Sequence, residues 1–115
     1  MVTIFGLKNC STCKNALKWL NDHHITHTFI DYRDHPIPAT DLTAWAQQLG
    51  GWAKLVNRAS PTWRQLPETS KSPESDEDWL QLIAEYPTLV RRPVTVDAHH
   101  VSVGFKADAY AQRFA

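Results

Sequence analysis

The sequence predicts an α/β fold on one mixed four-stranded sheet, from three observations. Residues 2–32 read strand, helix, strand. Residues 94–114 read strand, strand, helix. The stretch between them, about 38–90, is helical in pattern and carries no strand signal. Strands confined to both ends of a chain describe a single domain, 1–115, with a helical insertion, rather than two domains. The first βαβ unit then pairs its strands in parallel, and the final hairpin pairs antiparallel.

Each element has a local reason. Val2-Thr3-Ile4-Phe5-Gly6 is β-prone and closes on glycine, which reads as a short buried strand entering the loop Leu7–Cys10. Cys13, Ala16, Leu17 and Leu20 recur on one helix face, and that helix fades near Asn21–His24. His27–Tyr32 alternates as a second strand. Pro36 and Pro38 break the pattern, and Thr40 or Asp41 is placed to cap a helix with the stripe Leu42, Trp45, Ala46 and Leu49. Gly50-Gly51 stops it, and Trp52–Val56 reads as a further turn. Asn57–Lys71, with Pro61 and Pro67, reads as mostly loop with one turn of helix. Ser75-Asp76-Glu77-Asp78 is a capping-box variant with acids in the first turn. Trp79, Leu82, Ile83 and Tyr86 form the expected buried face of that helix, which Pro87 ends. Val94–Val96 and Val101–Val103 are short strands joined by an Asp97–His100 turn, and Lys106–Phe114 is a closing helix.

Bulk properties narrow the function. The 115 residues carry 12 basic and 12 acidic side chains. That balance argues against a protein held on nucleic acid or on an anionic membrane by its overall field. Hydrophobic residues make up 43% of the chain, enough for a core without metals or disulfide staples. No apolar run approaches a membrane span, and the first residues show neither a basic leader nor a cleavage pattern. The expected location is the cytoplasm, and the expected state is a monomer. In a reducing compartment two cysteines are not a structural staple.

Cys10-Ser11-Thr12-Cys13 is a C-x-x-C that directly follows a strand and opens a helix, the context of a thioredoxin-like redox motif. A thiol reacts as its thiolate, and the free N–H groups and positive dipole end of a helix favour that anion. Lys8 and Lys14 add nearby positive charge. Cys10, exposed at the tip, is the expected nucleophile. Cys13, one turn inward and on the core side, is the expected resolving thiol. Two other readings stand beside this one. A zinc site needs further ligands at suitable spacing, and six histidines (23, 24, 27, 35, 99, 100) are scattered through the chain. Alternatively Cys13 is a small core residue that matters only for packing. The placement of the pair favours redox chemistry, with no metal.

Arg91-Arg92-Pro93-Val94 sets a proline immediately before the third strand. Beside a redox C-x-x-C, the Arg92–Pro93 bond is expected to be cis and the Pro93 backbone to position substrate. Arginine binds oxyanions and carboxylates through a planar fork, so Arg92 is expected to bind a substrate anion and to favour the thiolate.

Together these residues resemble the arsenate reductase (ArsC/Spx) family. The resemblance runs through residues 4–16, Leu55-Val56-Asn57-Arg58, Thr62–Leu66, Pro87–Val94 and Val103-Gly104-Phe105-Lys106, and so covers essentially the whole chain. It is nearest to the short YffB-type members, proposed as glutathione-dependent thiol reductases. The resemblance implies a thioredoxin-like (glutaredoxin-like) sheet with a helical insertion. It also implies that Cys10 attacks the substrate and that glutathione, as co-substrate, and glutaredoxin complete the reduction, with no tightly bound cofactor. Of the three arginines around the arsenate reductase cysteine, Arg92 matches one. A second aligns near Asn57, with Arg58 one place later, and the third near Phe105, with Lys106 adjacent. That departure moves the expected substrate from arsenate toward thiols and disulfides. The Spx-type members imply an alternative, a redox-sensing regulator that binds RNA polymerase.

Overall fold

The computed structural model describes residues 2–98 and 100–114. His99, in the predicted hairpin turn, lies outside the described residues. The chain divides into two compact units, Met1–His35 with Arg92–Ala115, and Pro36–Arg91.

The first unit holds the sheet: β1 (Val2–Gly6), β2 (His27–Asp31), β3 (Val94–Val96) and β4 (Val101–Val103), in the order β2-β1-β3-β4. β1 pairs in parallel with β2, with Ile4 opposite Phe29, and antiparallel with β3, with Ile4 opposite Thr95. β3 and β4 form the antiparallel hairpin. Helix α1 (Ser11–Asp22) makes the crossover between the parallel strands, because parallel neighbours cannot be joined by a tight turn. Val2 and Ile4 of β1 cluster with Ala16 and Leu20 of α1 and with Tyr110 of the C-terminal helix. Both helices therefore cover the same face of β1. The Tyr110 hydroxyl is satisfied in that core by Thr95 Oγ1 at 2.5 Å.

The second unit is helical: α2 (Ala39–Leu49), α3 (Trp52–Leu55), α4 (Pro61–Arg64) and α5 (Asp76–Glu85), with short 3₁₀ turns at Glu68–Ser70 and Pro87–Leu89. The C-terminal helix of the first unit is α6 (Ala107–Phe114). Gly50 ends α2 in the left-handed region at φ 98°, and the Gly51 N–H reaches back to the Ala46 carbonyl at 2.7 Å. Ser75 caps α5 through the Asp78 N–H at 3.2 Å.

Three local expectations are corrected. Neither Thr40 nor Asp41 caps α2. The helix starts at Ala39 after Pro38, whose extended backbone sets the entry without a side-chain cap. Residues 57–71 contain two turns rather than one, because Ser60 caps α4 by accepting from the Trp63 N–H at 3.2 Å and Pro61 suits its first position. Tyr86 is 36% exposed, since α5 ends at Glu85 and the backbone leaves helical angles before Pro87.

Candidate active site

The loop from β1 delivers Cys10 to the tip of α1. Its N–H donates to the Leu7 carbonyl at 3.2 Å, and its own carbonyl accepts from the Lys14 N–H at 3.0 Å to begin the helix. Cys10 is half-buried at the N-cap, while Cys13, one turn on, is 1% exposed, and both thiols are free. Gly6 makes the inner position available. A Cβ there would lie 2.5 Å from Cys13 Sγ and 3.3 Å from a Phe29 ring carbon. Only a residue without a side chain lets the sulfur pack onto the end of β1.

The two thiols differ in acidity for physical reasons. Burial works against the Cys10 thiolate. The Cys13 N–H, the Cys13 thiol, the Arg92 guanidinium and the Thr12 N–H together outweigh it and lower the Cys10 pKa. Cys13 is pushed up to about 11, first by burial and further by the neighbouring Cys10. At neutral pH Cys13 is thus protonated, beside a thiol whose anion the site favours.

Arg92 stands at the residue before β3, and the Arg92–Pro93 peptide is cis. Burial disfavours its charge, but hydrogen bonds to Tyr32 and to Cys10 hold its pKa above the ordinary value. Tyr32 directly follows β2 and is buried, with its N–H on the Gly6 carbonyl at 3.1 Å. Burial raises its pKa, and the Arg92 guanidinium acts against that rise. Pro93 is buried, and its carbonyl accepts from the Gly104 N–H at 2.9 Å, which commits that group to the β3–β4 end.

Cys10 opens onto a cleft of roughly 530 Å³ bounded by residues 7–11, Asp31, Arg33, Asp34 and Arg92. Of the expected cations, Lys8 and Arg92 lie there. The Lys8 ammonium is spent on Asp34 at 2.6 Å, and its backbone N–H donates to Asp31 at 3.0 Å. Lys106 lines a separate cleft with Tyr110 and Arg113. Arg58 belongs to the helical unit, where its guanidinium stands 5.7 Å from the centroid of the Trp63 ring. No three His, Cys, Asp or Glu side chains gather at metal-binding distance among the described residues. His23 instead stacks on Trp19 at 3.8 Å.

Sequence reading missed the segment Asp31-Tyr32-Arg33-Asp34. A usable signal was present. In α/β sheets, ligands bind outside the carboxyl ends of parallel strands, and this segment leaves β2 beside the loop that leaves β1.

A cysteine pair at the strand-to-helix junction of a β2-β1-β3-β4 mixed sheet defines a thioredoxin-like protein with a candidate thiol site. Residues 5–113 match the ArsC family, and the chain belongs to that family. Among known structures it is similar to the YffB protein (34% identity, TM-score 0.92, all of both chains). It is also similar to an arsenate reductase (ArsC) related protein from Brucella melitensis (38% identity, TM-score 0.74, 98% of this chain and 92% of that one). An uncharacterized Haemophilus influenzae protein is 42% identical over the full length of both chains. The global transcriptional regulator Spx of Streptococcus pneumoniae is 29% identical over 94% of this chain and 81% of its own. No helix among the described residues is long and apolar enough to cross a membrane.

Proposed function

We propose that the protein is a cytoplasmic oxidoreductase of the arsenate reductase family that reduces disulfides or mixed disulfides at the expense of glutathione. The observation that carries this reading is the asymmetry of the two thiols, one favoured as thiolate at a helix tip beside Arg92 and one held protonated a turn below it. In the first step the Cys10 thiolate bonds to one sulfur of the substrate disulfide. The S–S bond breaks, and the departing sulfur leaves as a thiolate that takes a proton from water. One glutathione thiolate then displaces the second substrate thiol from Cys10. Another glutathione releases Cys10 and departs as oxidised glutathione. One disulfide is reduced for each two glutathiones oxidised.

Cys13 offers an alternative release. Once Cys10 is in a mixed disulfide, its negative charge is gone and one cause of the raised Cys13 pKa is gone with it. Cys13 then loses its proton more readily and attacks the Cys10 sulfur, which forms the Cys10–Cys13 disulfide and expels the substrate sulfur as a thiolate, and two glutathiones then reduce that disulfide. The proof is turnover of a small disulfide with glutathione, followed through oxidised glutathione. Cys10→Ser is expected to abolish it, and a Cys10→Ser protein of unchanged activity ends this assignment. Cys13→Ser retains turnover if glutathione performs the release. Arsenate serves as a second substrate in the same assay.

The similarity to Spx supports a second reading, a redox-sensing regulator that binds RNA polymerase. Capture of polymerase that differs between oxidised and reduced protein, with no thiol turnover, favours that reading over the enzyme.

A further inference from the structure

The cleft at Cys10 holds three cationic side chains, and their commitments differ. Lys8 is paired with Asp34 at 2.6 Å. Arg92 is hydrogen-bonded to Tyr32 and to the Cys10 sulfur. Arg33 is exposed, and no ion pair or hydrogen bond engages its guanidinium among the described residues. The nearest acid in sequence does not claim it. Asp31 is buried, and its carboxylate oxygens accept main-chain N–H groups, Oδ1 from Arg33 at 2.9 Å and Oδ2 from Lys8 at 3.0 Å. Those bonds fix the backbone of residue 33 at the rim of the cleft and leave its side chain available to whatever enters.

We propose that Arg33 binds a carboxylate of the incoming thiol compound, so that the Cys10 cleft selects anionic thiols and disulfides over neutral ones. This rests on the reading of Cys10 as the reacting thiol. A guanidinium fork suits a carboxylate in two parallel N–H···O bonds, and an arginine beside the nucleophile orients a substrate whose sulfur must meet Cys10. Arg92 is less suited to this task, because moving it to a substrate carboxylate removes a hydrogen bond from the thiolate at the moment of attack.

The test separates charge selection from turnover. Iodoacetate and iodoacetamide alkylate a thiolate by the same displacement of iodide and differ in one carboxylate. The ratio of their rates at Cys10 of the full chain, read by mass spectrometry, therefore cancels thiol acidity and nucleophilicity. Arg33→Gln is expected to lower the iodoacetate-to-iodoacetamide ratio about threefold, the scale of one solvated charge contact. Arg33→Lys, which keeps the charge without the fork, is expected to restore only part of it, and the wild-type ratio is expected to fall with added salt. An unchanged ratio in Arg33→Gln overturns the proposal. In turnover with glutathione as reductant, Arg33→Gln is expected to raise KM for dithiodiglycolate, a disulfide with two carboxylates, while leaving KM for hydroxyethyl disulfide, which is neutral, in place. Equal effects on both also overturn it. If Cys10→Ser keeps its turnover, the enzymatic reading fails, while the alkylation ratio still decides the role of Arg33.

Discussion

In the sheet unit, buried polar groups converge on one sulfur, with the helix N–H groups, the Cys13 thiol and the Arg92 guanidinium all reaching Cys10. The helical unit puts its most unusual residues to a different use. Trp79 stacks on Trp52 at 6.1 Å and on Trp63 at 6.0 Å, the Trp52 indole N–H donates to Asp76 at 2.8 Å, and Arg58 lies over Trp63. A stacked aromatic row buries much area, which is how short helices acquire stability that their lengths alone do not provide. The sheet unit accepts a half-buried thiolate, a costly group that only directed donors make tolerable. The difference separates residues that hold the fold from residues that hold a reactive state.

Trp63→Ala tests that separation with the largest expected effect. Trp63 is 8% exposed, and removing a buried tryptophan costs about 3–5 kcal/mol. Urea unfolding reads the loss. The pH dependence of Cys10 alkylation in the folded fraction is expected to stay where it was, and a shift there breaks the division of roles.

Gly6→Ala acts at the other unit and is expected to cost about 1–3 kcal/mol by overpacking, because the new methyl meets Cys13 Sγ. Here stability and chemistry are expected to move together. Displacement of the Cys13 sulfur from its site at the end of β1 makes it more open to alkylation, seen as a second modified thiol by mass spectrometry. Loss of stability without a new reactive thiol would mean that the strain is absorbed elsewhere.

Legibility in the sequence followed the range of the interactions. The strands, the α1 and α5 periodicities and the C-x-x-C at a strand-to-helix junction are local patterns, and β1, α1, β3 and β4 appear at the expected places. The Arg92–Pro93 cis bond was also legible, though from the thioredoxin-like cysteine pair and not from the proline alone, since a proline that starts a strand is ordinarily trans. Trp52 and Trp63 lie in a stretch read as a short turn and mostly loop, and the residue that stacks on both, Trp79, is distant in sequence. Tyr32 was read only as the end of a strand, and Arg33 was given no role. Their importance depends on the parallel register that sets Gly6 opposite Asp31 and brings the loop after β2 beside the loop after β1. The cations offered by the resemblance, Arg58 and Lys106, have other surroundings, while Arg33, which no motif marks, lines the cleft.

Tyr32→Phe carries the smallest expected effect and cuts closest to the distinction drawn above. The phenol oxygen hydrogen-bonds the same guanidinium that reaches Cys10, so it acts on the thiol through Arg92 and is a positioning residue. The ring is retained, so packing is preserved and unfolding stability is expected to change by about 1 kcal/mol. Without the phenol, Arg92 is held less firmly against Cys10, and the thiolate loses part of the stabilisation that opposes burial. The Cys10 pKa then rises toward the ordinary thiol range. Below its wild-type midpoint the variant has less thiolate, so iodoacetamide reacts more slowly there, while well above both midpoints the rates converge. The linked stability follows the same sign. A thiol titrating below its unfolded value adds stability that is complete above that value and is lost as pH falls through the native one, and Tyr32→Phe is expected to shrink that window. A midpoint that moves down instead would show Tyr32 competing with Cys10 for Arg92 rather than presenting it.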